Sequence, residues 1–201
     1  MARKTKAEAE RTKQHLITAA RRVFQHHGIT NTSLESVALA AGVTRGAVYW
    51  HFRNKSDLFL AVRSQTGKLL QLKQKIPGDA LEKLESGLLE ALHRLETDSE
   101  ARSTFEIMLW KCEYVGEFSA VRSNLMSGGR DFWQEVHQLY RQAAKEKILR
   151  PKLNPRLAAW ETLFFFAGLL KIWLAETPHS LARSEARETI RQHVSSKRKP
   201  R

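Results

Sequence analysis

At 201 residues the chain is long enough to bury a real core as one or two domains. Its formal charge of +13 is uneven: residues 1–75 hold 14 Lys/Arg against 4 Asp/Glu, residues 76–147 hold 9 against 13, and residues 148–201 hold 11 against 4. The lone cysteine, Cys112, excludes an intrachain disulfide and a cysteine-rich zinc site, and fits a reducing compartment with the thiol as a small buried hydrophobe.

Residues 1–10 are charged and expected to be mobile, with Arg3, Lys4 and Lys6 available to phosphate. No apolar run follows them, so no secretory signal is expected. An amphipathic helix is predicted from about Ala9 to His27, with Leu16, Ile17, Ala20, Val23 and Phe24 as its core stripe and Gly28 as its stop. Thr32 and Glu35 then have the spacing of a capping box. Leu34, Val37 and Ala38 give a short apolar face, and Ala41-Gly42 ends that helix where glycine takes the left-handed conformation. Thr44 is a good N-cap for a second short helix, Arg45 to about His51. Two short helices joined by a glycine-containing turn form the helix-turn-helix pattern, whose second helix enters the DNA major groove. An ordinary core hairpin has no reason to gather Arg45, Tyr49, Trp50 and His51 on one short helix. The basic block also coincides with this motif, as phosphate binding requires.

Asn54 to Asp57 cap a connecting helix running to about Lys75, with Leu58, Phe59, Val62, Leu69 and Leu72 as its apolar positions. Pro77-Gly78 breaks it. Asp79 and Glu82 are a second capping pair, and Leu81, Leu84, Leu88, Leu92 and Leu95 repeat at helical spacing to about Glu96. The next helix, from about Glu100, is expected to present Phe105, Met108, Leu109 and Cys112. A longer one, roughly Glu117 to Lys147, meets Gly128-Gly129, where it bends or where two helices join. Asn154-Pro155 opens an apolar helix to about Glu176. Glu161 and Lys171 within it argue for a buried helix of a soluble, cytoplasmic protein rather than a membrane span. Leu181 to Val194 is the last helix, and the tail SSKRKPR is expected to be disordered. The fold class is therefore all-α, with about nine helices and no strand pattern.

At these residues the chain also resembles a known family. GVTRGAVYWHFRNKSDL resembles the DNA-binding signature of the TetR family of bacterial transcriptional regulators. ARKTKAEAERTKQHLITAA and LWKCE resemble its efflux-pump repressor branch, the AcrR, TtgR and MtrR type. The match is dense over Lys4 to Leu60 and thinner beyond. The resemblance implies an N-terminal three-helix helix-turn-helix domain (1–54), a connecting helix (55–75), a C-terminal ligand-binding and dimerisation domain (76–196) and a basic tail (197–201). It implies a homodimer joined through the last two helices, double-stranded palindromic operator DNA as partner, and hydrophobic or aromatic small molecules as inducers, with no cofactor and no membrane partner. Arg63 and Gly67 depart from residues common in such relatives, which counts against cationic ligands.

Arg45 is the best residue for reading a base edge, because a guanidinium pairs bidentately with guanine. Thr44, Gly46, Tyr49, Trp50, His51 and Lys55 are expected on phosphates or thymine methyls, with Ser33 adding a phosphate contact. By position, Leu92, Phe105, Leu109, Phe132, Val136, Tyr140, Leu163 and Phe166 are expected to line an apolar ligand cavity, with Glu106, Glu113 and His137 as polar anchors. Phe165, Gly168, Leu169, Ile172 and Ile190 are expected at the dimer interface. The chain has no glycine-rich phosphate loop, no nucleophile elbow and no metalloprotease motif, so no enzymatic activity and no metal are expected. A regulator of lipid or secondary metabolism, and a non-regulatory small-molecule-binding helical protein, are the alternatives.

Overall fold

The computed structural model describes residues 6–66 and 77–200. Nine α-helices lie among them: α1 (Lys6–His27), α2 (Leu34–Ala40), α3 (Arg45–His51), α4 (Lys55–Gln65), α5 (Ala80–Thr97), α6 (Ser99–Trp110), α7 (Ser119–Lys145), α8 (Pro155–Ala175) and α9 (Leu181–Ser195). A one-turn 3-10 helix, Gly116–Phe118, precedes α7. The described residues hold no strand, only an isolated antiparallel bridge between Leu149 and Arg198. Arg3, Lys4, Gly67 and the expected continuation of α4 through Leu69 and Leu72 to Lys75 lie outside the described residues, as does Arg201.

The chain forms two compact units. One comprises Met1–Gly67 and Glu100–Ser123, the other Lys68–Ser99 and Asn124–Arg201. The units are thus interleaved in sequence: α6 is tied to α1 through Arg21–Glu100 and Gln25–Glu106.

In the first unit, α1 buries Leu16, Ile17, Ala20 and Phe24, and Gly28 ends it at φ +74°. Phe24 meets Phe59 of α4 edge-on at 6.1 Å, and Phe59 meets Phe118 at 6.1 Å. The N-cap of α2 is Ser33, not Thr32: Ser33 and Ser36 exchange the two bonds of a capping box. Thr32 is buried and donates its hydroxyl to the Gly28 carbonyl at 2.7 Å. It is therefore held by the end of α1, which leaves the capping to its neighbour and frees the Glu35 carboxylate. The face expected of α6 also differs. Ala101, Ser103, Thr104 and Ile107 are its buried residues, while Leu109 is exposed and Phe105 and Met108 are half-buried. Ile107 is the one large apolar side chain that α6 buries, beside the small Ala101, Ser103 and Thr104.

In the second unit Leu81, Leu84, Leu88, Leu92 and Leu95 of α5 are all buried, as their spacing predicts. Asp79 caps α5 through the Leu81 and Glu82 amides, and Glu82 completes the box. Helix α7 runs through Gly128 and Gly129 as one element, so two helices do not join there. Asn154 and Pro155 open α8 as predicted. The C-terminal tail is ordered over its described residues, against expectation. Arg198 makes two parallel bonds to Asp79, at 2.7 and 2.8 Å, and buried Lys197 pairs with Glu161. The amides of Arg150 and Lys199 lace the tail to residues 148–150. A run of cations reads as solvated because its partners are remote: Glu161 and Asp79 lie 36 and 119 residues away.

Candidate nucleic-acid interface

Helix α3 has a single buried residue, Val48, which fixes it against the rest of the first unit. The remaining face is turned out, with Arg45 71% and Trp50 72% exposed. An exposed tryptophan beside an exposed arginine is costly surface for a chain to keep without a partner. Gly42 allows the turn into α3 at φ +61°, closed by the Val43 amide on the Ala38 carbonyl at 3.0 Å. Thr44 caps α3 by accepting from the Ala47 amide. Open space surrounds the missing Cβ of Gly46, so nothing inside the chain requires glycine there. The His15 ring nitrogen lies 3.0 Å from the Ala41 carbonyl and braces the end of α2 on α1.

One carboxylate organises this surface, and the sequence had assigned it to a cap. Glu35 Oε1 lies 3.0 Å from Arg45 Nε and accepts the Tyr49 hydroxyl at 2.9 Å. The Arg45 guanidinium also lies over the Tyr49 ring, 5.4 Å from its centroid. The Glu35 backbone amide, then the Tyr49 hydroxyl, and further Arg45, hold the carboxyl below the usual carboxylate range. Arg45 and Tyr49 are thereby preorganised, one turn apart on the outward face. The signal for Glu35 lay in the sequence only as an acidic residue on the helix preceding a basic one.

Trp50 and His51 meet at right angles, with centroids 4.5 Å apart; Trp50 remains largely exposed and His51 is half-buried. Ser33 uses its hydroxyl on the Ser36 amide at the start of α2. Lys55 donates its ammonium to the carbonyls of Ile29 and Thr30, at 3.1 and 3.3 Å. The bonds seen at Lys55 therefore close the α1–α2 turn.

Of the residues expected around a ligand, Phe105 and Leu109 belong to the first unit. Leu92, Phe132, Val136, Tyr140, Leu163 and Phe166 belong to the second. All of the latter except Leu163 are buried, and Phe132 and Phe166 meet at 6.2 Å. Tyr140 lies 2.8 Å from the Thr162 hydroxyl, which lies 2.9 Å from His193 Nε2. Phe165 stacks flat on the His193 ring at 4.1 Å. Burial first, then the Lys197 charge, push His193 down to about 4. His137 stacks on Trp133, and Glu106 accepts from Gln25 at 3.3 Å. Cys112 is half-buried, and burial pushes its thiol up to about 11, which makes it a poor nucleophile.

The residues expected at a dimer interface divide. Gly168 and Ile172 are exposed, and Leu169 and Phe165 are half-buried. Ile190 is fully buried within its own chain and leaves the set. Helix α9 packs on both α5 and α8, and this intrachain packing takes up Ile190. The exposed stripe of α8 contains Leu157 and Phe164 in addition, at helical spacing with Gly168 and Ile172.

Residues 16–62 match the family described as bacterial regulatory proteins, tetR family, and residues 79–195 match the MAATS-type transcriptional repressor, C-terminal region. The chain is 37% identical to the HTH-type transcriptional regulator AcrR of Shigella flexneri, over 94% of this chain and 91% of that protein. Among solved structures it is similar to NalD, the secondary repressor of the MexAB-OprM multidrug efflux pump in Pseudomonas aeruginosa, with 30% identity and a TM-score of 0.86 over 96% of this chain and 98% of NalD. It is also similar to SmeT of Stenotrophomonas maltophilia in complex with triclosan, with 25% identity and a TM-score of 0.79 over 94% of this chain and 92% of that one.

Proposed function

We propose that this chain, which belongs to the TetR family of bacterial regulatory proteins, is a cytoplasmic repressor of a multidrug efflux operon. In this reading a homodimer sits on a palindromic operator and is released by hydrophobic or aromatic inducers. The observation that carries the DNA-binding part is α3, which buries Val48 and turns Arg45, Tyr49 and Trp50 outward in one constellation. Arg45 exchanges Glu35 for a guanine edge, and Trp50 covers sugar or thymine methyl surface. Thr44, Gly46 and Ser33 lie at helix N-termini, where backbone amides meet phosphate. Two such helices in a dimer read half-sites about 34–36 Å apart.

The efflux assignment is supported by the likeness to AcrR and NalD, and the inducer class by the triclosan held by SmeT. The dimer uses the exposed stripe Leu157, Phe164, Gly168 and Ile172 of α8. Inducer bound among the aromatic residues of the C-terminal domain shifts the connecting helix that begins with α4, and the two α3 helices leave the half-site spacing. A ligand moves this equilibrium only by its difference in affinity between the two states. No catalytic step enters the reading.

The test is a mobility-shift titration at fixed salt on DNA from upstream of the chain's own gene, with and without triclosan, bile salts and plant phenolics. Tight binding released by a compound of the panel is the expected result. Tight binding that nothing releases would retain the DNA partner and remove this inducer class. Absence of specific binding would overturn autoregulation and leave the efflux assignment on likeness alone.

A further inference from the structure

On the outward face of the helix-turn-helix one anion stands among the groups assigned to DNA. Glu35 lies in the first turn of α2, and its side chain is 42% exposed. Leu39, one turn further along the same face, is 83% exposed, so that face of α2 is open. Both contacts of the carboxylate with α3 converge on Oε1, from Arg45 Nε at 3.0 Å and from the Tyr49 hydroxyl at 2.9 Å. The capping box of α2 is completed by Ser33 and Ser36 and does not need Glu35.

On DNA, Arg45 leaves this carboxylate for a guanine edge, and Glu35 loses its cation. Its own backbone amide first, then the Tyr49 hydroxyl, and only after them Arg45, hold the carboxyl below the usual range. The first two stay when Arg45 leaves, so the group remains ionised and can only accept. In the major groove an anion is repelled by phosphates and by the acceptors of guanine and thymine. Two base groups donate there, adenine N6 and cytosine N4. Adenine N6 stands beside the N7 acceptor, an arrangement that suits a carboxamide. Cytosine N4 has a C–H for its neighbour, so a carboxylate approaches it without meeting a lone pair. Arg45 and Glu35 are in contact, and successive nucleotides of a strand are about 3.4 Å apart along the helix axis. The two side chains therefore reach one base pair or two adjoining ones.

We propose that Glu35 is a specificity-determining residue that selects a cytosine, through its N4 amino group, within one step of the guanine taken by Arg45. The ion pair of the free chain splits into two base contacts. With guanine or thymine in that place the carboxylate faces only acceptors, so Glu35 rejects as well as selects. The inference rests on the DNA-binding part of the proposed function and is independent of the inducer and of the operon.

The test uses an operator that the wild-type chain selects from random duplexes at fixed salt. Each half-site cytosine is replaced in turn by N4-methylcytosine, which keeps its pairing with guanine and covers the groove-facing N4 hydrogen. Each guanine is replaced in turn by 7-deazaguanine, which lacks the N7 acceptor. Fluorescence anisotropy at one salt concentration gives the affinities of wild type, Glu35→Ala and Arg45→Ala, and thermal unfolding checks that both variants fold. Wild type should lose about tenfold at one methylated cytosine beside a sensitive guanine. Glu35→Ala should lose about twofold or less at that cytosine and keep its sensitivity to the deazaguanine. Arg45→Ala should show the reverse. A wild type that tolerates N4-methylcytosine throughout, or a Glu35→Ala chain that loses as much as wild type, would overturn the inference and leave the DNA-binding reading intact. So would a Glu35→Ala chain that loses only the deazaguanine response, since Glu35 would then act through Arg45 alone. A wild type that selects no duplex sequence overturns the DNA-binding reading itself, and the inference with it.

Discussion

Two arginine–glutamate pairs in the N-terminal unit have the same chemistry and opposite settings. Arg45 meets Glu35 on the outward face of α3 at 71% exposure, whereas Arg21 meets Glu100 at 5% exposure. A surface pair contributes little to stability and is screened by salt, so its arginine can exchange a carboxylate for a base edge or a phosphate at small cost. A buried arginine cannot leave its acceptors without stranding a charge. The exposed pair preorganises a reading residue, and the buried pair fixes where helices lie. Burial, not residue type, separates the two roles.

The contrast can be broken at either pair. Arg45→Ala should cost about 1–3 kcal/mol of operator binding with no change in unfolding midpoint. Fluorescence anisotropy on the operator, beside thermal unfolding, measures both; unchanged operator affinity would remove Arg45 from the reading role. Glu100→Gln leaves the buried Arg21 charge without its carboxylate. Because Glu100 is mostly solvated, the loss should be about 1–2 kcal/mol in urea unfolding, below the cost of breaking a fully buried pair. An Arg21→Met chain less stable than Glu100→Gln would reverse the order that burial dictates.

Burial also sets a pH dependence in the second unit. His193 is held near 4 when folded, below the ordinary histidine value of 6.5. Between those values the unfolded chain binds a proton that the folded chain refuses, so stability is full above about pH 6.5 and falls as pH drops toward 4. Urea midpoints across that window should slope downward toward acid, and His193→Gln should flatten the slope. The smallest effect is expected at the exposed pair itself. Glu35→Gln should leave the unfolding midpoint in place and strengthen binding to non-specific DNA, narrowing the gap to operator. A wider gap would remove Glu35 from the reading surface.

Much of the architecture could be read along the chain. Gly28, Gly42, Thr44, Asn54, Asp79 and Asn154-Pro155 mark helix ends at the predicted places, because caps act within about four residues of the backbone groups they satisfy. The spacing of Leu81 to Leu95 predicted the buried face of α5 for the same local reason. The errors had two sources. Thr32 bonds the Gly28 carbonyl four residues back, a local alternative that leaves the capping of α2 to Ser33, whereas α6 is tied to α1 by partners 79 to 81 residues away and buries Ala101, Ser103, Thr104 and Ile107 rather than Phe105 and Leu109.

By itself, then, the sequence determined the helices, most of the ends that can be compared, the helix-turn-helix and the outward residues of α3, since each depends on neighbours a turn or two away. Tertiary structure alone decided that Glu35 holds Arg45 and Tyr49, that α6 joins the N-terminal unit, that Arg21 joins α4 to α6, and that a basic tail is ordered by Asp79 and Glu161. Helical periodicity says which face is apolar. Only the folded chain says which remote charge stands opposite, and whether water lies between.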